Sequence, residues 1–238
     1  MEKRYLQLYS IKDETAKDFV SALKRVAEIG YTGVEFAGNY GGMTASELKN
    51  FLAGLSLEPI SAHIMSDQVA ANLDYAAELG LKYIIDPMQN METYEDAIAF
   101  AKVLNETGKL CKDKGIRFGY HNHAHEFKAC KDGTLMDTLL INTDPDLVCF
   151  QLDVGWATVA GCDVPAFIKK YAGRFKLIHV KECSAVAAGK GIISWPEVSA
   201  AALAQGTEAF IVEREDEHNY AGDIFKCVEE DCAYLKSL

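Results

Sequence analysis

The chain lacks the features that would tie it to a nucleic acid, a membrane or an oxidising compartment. Lys and Arg number 24 against 35 Asp and Glu, a formal net charge of −11. No basic footprint is available for a phosphate backbone, and an anionic membrane surface would repel the chain. No run approaches the ~20 apolar residues of a membrane span. Met1 to Phe19 is charged and has no apolar signal core, so a cytoplasmic protein is expected. The seven cysteines are scattered, with no CxxC pair. Reduced thiols are therefore expected, rather than a disulfide framework or a zinc-thiolate knuckle. No GxGxxG follows the first apolar run, and Gly38–Gly42 has the wrong spacing and place, which weakens a doubly wound open sheet. There is no obvious arginine pair for a phosphate, and Gly189 and Gly191 make only a weak candidate cradle.

Apolar residues make up 49% of the 238, ample for a buried core. Short β-rich runs alternate with helical patterns from end to end. The strands are predicted at Tyr5–Tyr9, Gly33–Phe36, Pro59–His63, Lys82–Asp86, Ile116–His121, Leu147–Asp153, Phe175–Lys181 and Ala209–Glu213. The helices between them include Ala16–Ile29, stopped by Gly30, and Thr44–Leu55, with Thr44 and Glu47 placed for a capping box. Eight such units without a linker predict one α/β domain over residues 1–238, a (β/α)8 TIM barrel of the usual size of roughly 200 to 250 residues.

The polar residues fall at strand ends. The stretch Tyr120-His121-Asn122-His123-Ala124-His125-Glu126 closes the fifth strand, and His63, Asp153, His179 and Glu213 close others. Side chains alternate along a strand. Counting back, His121 shares its face with Gly119, Asp153 with Gln151 and Cys149, His179 with Leu177 and Phe175, and Glu213 with Ile211 and Ala209. Barrel enzymes build their sites at the carboxyl-end rim. His121, Asp153, His179 and Glu213 form a mixed nitrogen–oxygen set suited to a divalent Mn, Co, Zn or Fe ion better than to Ca²⁺. Such an ion would act as a Lewis acid on a hydroxy-ketone, while a nearby carboxylate or histidine removes the acidified proton.

Plainer readings stand beside these. Glu35 suits a salt bridge, His63 a hydrogen bond to the barrel backbone, Asp86 a turn before Pro87, His125 a solvated loop position and Glu126 a loop anchor. Lys181 could pair with Asp153 or Glu213 in a metal-free network. Cys183 is the one cysteine near the site.

The chain resembles the sugar phosphate isomerase/epimerase family, the xylose-isomerase-like TIM barrels. The resemblance is carried in order by Gln7-Leu8-Tyr9-Ser10, Gly33-Val34-Glu35-Phe36, Ser61-Ala62-His63, Gly119-Tyr120-His121-Asn122-His123 with Glu126-Phe127, Leu152-Asp153-Val154-Gly155-Trp156, His179-Val180-Lys181-Glu182, Gly189-Lys190-Gly191 with Trp195, and Ile211-Val212-Glu213. It implies a divalent metal, Mn, Co, Zn or Mg, held at the ends of strands five to eight by His121, Asp153, His179 and Glu213. The epimerases have a glutamate where this chain has His121, and a second histidine in the region where Trp156 stands. The expected activity is isomerisation or epimerisation of a small sugar or polyol derivative through an enediolate. Glu213, His123, Glu126 and Lys181 are its candidate catalytic groups, and Glu35, His63 and Trp156 its candidate substrate contacts. The alternatives are a lyase of the inosose-dehydratase kind and a non-catalytic sugar-binding barrel. The expected partner is a small molecule, with neither nucleic acid nor membrane, and a homo-oligomer is compatible with the sequence.

Overall fold

The computed structural model describes residues 1–131, 133–184, 186–215 and 223–238. Eight parallel strands close into a barrel: β1 (Tyr5–Gln7), β2 (Gly33–Phe36), β3 (Glu58–His63), β4 (Tyr83–Asp86), β5 (Arg117–His121), β6 (Val148–Asp153), β7 (Phe175–Val180) and β8 (Ala209–Val212). Each pairs with its neighbours in chain order, and β8 returns to β1 through Tyr5 opposite Ile211. Around them lie α1 (Lys12–Lys17), α2 (Phe19–Ile29), α3 (Ala45–Gly54), α4 (Val69–Leu79), α5 (Tyr94–Asp113), α6 (Leu135–Asn142), α7 (Val154–Val159), α8 (Val164–Lys170), α9 (Trp195–Ala204) and α10 (Ile224–Ser237). This is the (β/α)8 architecture expected from the alternation. Among the described residues, no helix is long and apolar enough to cross a membrane.

Local chemistry sets the element ends. Thr44, Thr93 and Thr134 each cap a helix in a reciprocal box with an acidic residue three positions on. Gly80 ends α4 with φ 92°, a left-handed conformation that glycine adopts without steric cost. Two expected element bounds needed correction. The first strand stops at Gln7, because the Gln7 side chain accepts from the Tyr9 backbone N–H (3.1 Å) and starts a 3-10 turn over Leu8–Ile11. The helix expected over Ala16–Ile29 is two helices. Asp18 breaks it by taking extended backbone angles and accepting from the Ser21 N–H at 3.0 Å as the cap of α2. The short α7 and a two-residue hairpin pairing Ala129–Cys130 with Gly133–Thr134 carried no period long enough to predict.

Strand alternation divides the apolar side chains into two shells. Tyr5, Ile60, Tyr83, Ile85, Cys149, Leu177, Ala209 and Ile211 fill the barrel interior. Gly119 leaves room for them, since a Cβ there would meet Ile85 Cδ1 at 2.8 Å and Cys149 Sγ at 3.0 Å. The outward-facing residues, Phe118, Phe150 and Ile178 among them, pack under the helices. Phe175, expected on the inner face with Leu177, packs outward against Phe150 and Phe167. The pairing of β6 with β7 gains one residue between Phe150↔Phe175 and Gln151↔Leu177. One inserted residue reverses the parity of everything before it. From Leu177 onward the count holds, and Asp153 lies opposite His179.

Candidate functional site

The carboxyl ends of β5 to β8 bring His121, Asp153, His179 and Glu213 together. One ligand-capable atom from each lies within 4.8 Å of all the others, and all four residues are buried. The strand ends are tied to one another by Asn122. Its Oδ1 accepts from the Asp153 N–H (3.0 Å) and its Nδ2 donates to the Asp153 carbonyl (3.3 Å), which fixes the end of β5 against that of β6. The two oxygens of Asp153 differ. Oδ1 caps α7 by accepting from the Trp156 N–H at 2.8 Å. Among the described residues Oδ2 is buried without a hydrogen-bond partner, 3.9 Å from His179 Nδ1 and 3.8 Å from Lys181 Nζ.

His179 lies between two carboxylates. Its Nε2 is 2.7 Å from Glu35 Oε1 and its Nδ1 3.1 Å from Glu213 Oε2. Burial opposes its protonation, yet Glu213 and Glu35 outweigh burial and raise the imidazole to about 10. Burial pushes Asp153 up to about 7, against the pull of Lys181 and with the push of Glu213. Burial also acts on Glu213, but His179 and Lys181 prevail and hold it well below the carboxylate range. His121 goes the other way: burial, with His179 and His63 beside it, keeps it neutral. Two imidazoles and two carboxylates of this kind suit a divalent transition-type ion, and a buried carboxylate oxygen without a donor is what such an ion would satisfy. The residues present therefore fit a metal. Binding one would require His179 to give up its Nδ1 proton.

Lys181 stands beside this cluster. Its Nζ lies 3.5 Å from Glu213, contacts Glu215, and sits 4.6 Å above the Trp156 ring. His123 is half-buried with Nδ1 unpartnered, and its ring centroid is 5.0 Å from that of His121. Burial, with Lys181 nearby, pushes it down to about 4. Glu126 is fully buried. It accepts from the Tyr120 hydroxyl at 2.5 Å and the His123 N–H at 2.9 Å, which pins the loop after β5. His125 faces the Gln89 carbonyl at 2.9 Å, and Asp86 accepts from the Ser66 and Met88 N–H groups in a turn.

Glu35 and His63 adjoin the cluster, and the ring nitrogens of the partly exposed His63 also gather with those of His121 and His179 in a second group able to hold an ion. Glu35 is fully buried, and its oxygens accept from Gln7 Nε2 (2.8 Å), Ser61 Oγ (2.6 Å) and Gln151 Nε2 (2.7 Å), besides facing His179. His63 Nε2 is 2.8 Å from Gln151 Oε1 and 3.2 Å from Glu35. Gln7, Ser61 and Gln151 were not among the expected site residues. Their place emerges only from strand register in the closed barrel, where Gln7 and Ser61 both pair with Glu35 and Gln151 pairs with His121.

A closed barrel whose late strands end in two histidines and two carboxylates is a (β/α)8 enzyme architecture with a mixed nitrogen–oxygen centre. The model of the xylose isomerase-like TIM barrel family matches residues 23–238, and the chain belongs to that family. An inosose dehydratase from Clostridium beijerinckii (strain ATCC 51743 / NCIMB 8052) is 28% identical over 194 residues, 70% of this chain and 64% of the relative. A second, from Bacillus cereus (strain AH820), is 24% identical over 69% of this chain, which spans 63% of it. The chain thus covers under two thirds of the length of these curated relatives. Among solved structures, a sugar phosphate isomerase/epimerase from Parabacteroides distasonis ATCC 8503 matches with a TM-score of 0.90 at 26% identity, covering 100% of this chain and 99% of that one. The zinc-bound IOLI protein shares the fold, with a TM-score of 0.77 at 13% identity over 99% and 97% of the two chains.

Proposed function

We propose that the chain is a divalent-metal-dependent enzyme that isomerises or epimerises a small sugar or polyol derivative at a hydroxy-ketone. The observation that carries this reading is the buried cluster of His121, Asp153, His179 and Glu213, with Asp153 Oδ2 lacking a donor among the described residues. These four side chains would hold the ion. When bound, it supplies Lewis-acid polarisation of the substrate carbonyl. The protein's own groups do the rest. Lys181 holds an ammonium beside Glu213 and Asp153, where it stabilises negative charge developing on a substrate oxygen. His123, neutral by burial, is the proton acceptor, with Glu213 as the second candidate for moving a proton. Glu126 acts on His123 by fixing its backbone. Trp156 offers a ring face under Lys181 that can also line the substrate. Glu35, with both oxygens occupied by protein donors, acts on His179 instead of on substrate.

A second reading, dehydration of a keto-polyol, is favoured by the inosose dehydratase relatives and by a neutral imidazole at the end of β5. Both reactions pass through the same enediolate and part at the product. The test is elemental analysis of the purified protein, followed by ketoses and keto-polyols in D₂O. A stereoisomer carrying solvent deuterium supports the first reading and an unsaturated ketone the second. Exchange into no substrate, with no metal bound, would favour a non-catalytic sugar-binding barrel.

A further inference from the structure

The structure assigns to Gln151 a positioning role: its side-chain amide fixes which nitrogen of His121 carries the proton, and so which nitrogen faces the metal cluster. This inference rests on the metal-dependent reading above.

Gln151 occupies the inner face of β6, two residues before Asp153 and opposite His121 in the ladder. The orientation of a buried amide is decided by its partners. One end of Gln151 is 2.7 Å from Glu35 Oε2. Glu35 also takes donors from Gln7 Nε2 and Ser61 Oγ, so it serves as an acceptor throughout, and the end of Gln151 that meets it must be the NH₂ group. The carbonyl Oε1 then points the other way, at His121 Nδ1 (3.0 Å) and His63 Nε2 (2.8 Å). An oxygen that only accepts requires an N–H from each ring. His121 is therefore protonated at Nδ1, and its bare Nε2 is the nitrogen available to a cation. The same acceptor, Glu35, takes His179 Nε2–H at 2.7 Å and leaves Nδ1 on the side of Asp153 and Glu213. One amide and one carboxylate thus orient both imidazoles of the cluster. Partners of this kind set ligand tautomer and commonly change metal affinity by about 10–100-fold when removed.

The test combines nuclear magnetic resonance of the apo protein with metal titration. Long-range ¹H–¹⁵N spectra of wild type should show His121 protonated at Nδ1 and bare at Nε2. Gln151→Met, of similar volume but without the amide, should lose that tautomer and bind Co²⁺ roughly 10–100-fold more weakly by calorimetry. Gln151→Glu, protonated on the oxygen that meets Glu35 and accepting from the rings with the other, should retain the Nδ1–H signature. A merely structural role would not distinguish these two variants in the His121 spectrum. The inference is overturned if wild-type His121 carries its proton on Nε2. It is also overturned if Gln151→Met keeps both the tautomer and the wild-type Co²⁺ affinity. If Gln151→Met does not fold, the wild-type and Gln151→Glu spectra still decide. If wild type takes up no Co²⁺, the metal reading itself fails, and the tautomer spectra judge Gln151 separately.

Discussion

The two ends of this barrel use the same kinds of side chain to opposite purposes. At the amino end of the strands, Glu58 accepts from the Tyr5 hydroxyl at 2.7 Å and Lys3 at 3.0 Å, and also pairs with Lys82. Glu208 accepts from the Tyr83 hydroxyl at 2.6 Å and Arg117 at 2.9 Å. The tyrosine rings plug the barrel interior while their hydroxyls reach the edge. Each carboxylate there has donors enough from the protein alone. At the carboxyl end, Asp153 and Glu213 share His179 and Lys181 between them, and one buried oxygen of Asp153 has no donor among the described residues. A polar group buried without a partner destabilises the fold by roughly 1–3 kcal/mol. Such a cost is tolerated where the missing partner is a ligand. On the proposed function the amino end serves stability and the carboxyl end chemistry, the division that barrel enzymes follow.

Asp153→Ala tests this division hardest. It removes a candidate ligand, and divalent-ion affinity should fall by more than about 100-fold, with activity lost. Chelation of wild type should have the same effect on activity. The thermal midpoint of the metal-free protein should change little, because loss of the α7 cap on Oδ1 is offset by removal of the buried, underpartnered Oδ2. Calorimetry with Mn²⁺, Zn²⁺ and Co²⁺ and a melting curve of each apo protein would measure both. Retained metal binding together with a large drop in midpoint would reverse the assignment of the two ends.

Lys181→Met should come next in size. Loss of one charged donor near the reacting oxygen lowers kcat on the order of 10²-fold. Metal content should stay at the wild-type level, since the ammonium is no ligand. Unchanged kinetics with a lower melting point would place Lys181 with the structural ion pairs, in the manner of Lys82 at the other end.

Much of the carboxyl end was legible in the sequence because it breaks a rule. An apolar strand that finishes in a charged or imidazole side chain stands out, and His121, Asp153, His179 and Glu213 all do so. Their convergence followed from parity and strand order. Parity failed at Phe175, where one extra residue in the pairing with β6 turned the side chain outward, and no local feature announces such a bulge. The supporting network was harder to read. Gln151 and Glu35 are 116 positions apart, and their contact crosses the barrel. A glutamine on an inner face has no evident partner until the barrel closes. The partners of Glu35 and His63 were hidden likewise, since contacts across a barrel are absent from a linear pattern. Asp18 could have been read as a cap, but the helical period ran through it.

At the amino end, Tyr83→Phe should be modest in effect and blind to catalysis. Removing the hydroxyl deletes one hydrogen bond to Glu208, at a cost of about 1 kcal/mol. For a domain of this length that is a fall of roughly 2–4 °C in the thermal midpoint. The kcat and KM should match wild type. A change in either would show that the two ends communicate, and the comparison would then have to be redrawn.

The sharpest contrast is the sign of the pH dependence at each end in the metal-free protein. Burial pushes Glu58 up, but its hydrogen bonds from Lys82, Tyr5 and Lys3 win and hold the carboxyl down at about 2, from an ordinary 4.5. Between those values the unfolded chain binds a proton that the native protein does not. The Glu58 contribution is therefore present above about 4.5 and lost as pH falls through about 2. Asp153 runs the other way. Burial raises it to about 7 from 3.8, so between those values the native state keeps a proton that the unfolded chain has released. Its contribution is present below about 3.8 and lost as pH rises through about 7. Urea unfolding of the apo protein across pH 2 to 8 should accordingly show Glu58→Gln flattening the acid limb and Asp153→Asn flattening the limb between pH 4 and 7. A bound divalent ion should abolish the second slope, because it favours the Asp153 carboxylate that burial disfavours. If Asp153→Asn left the upper limb unchanged, the oxygen without a donor would carry no electrostatic strain, and the carboxyl end would be as self-sufficient as the amino end.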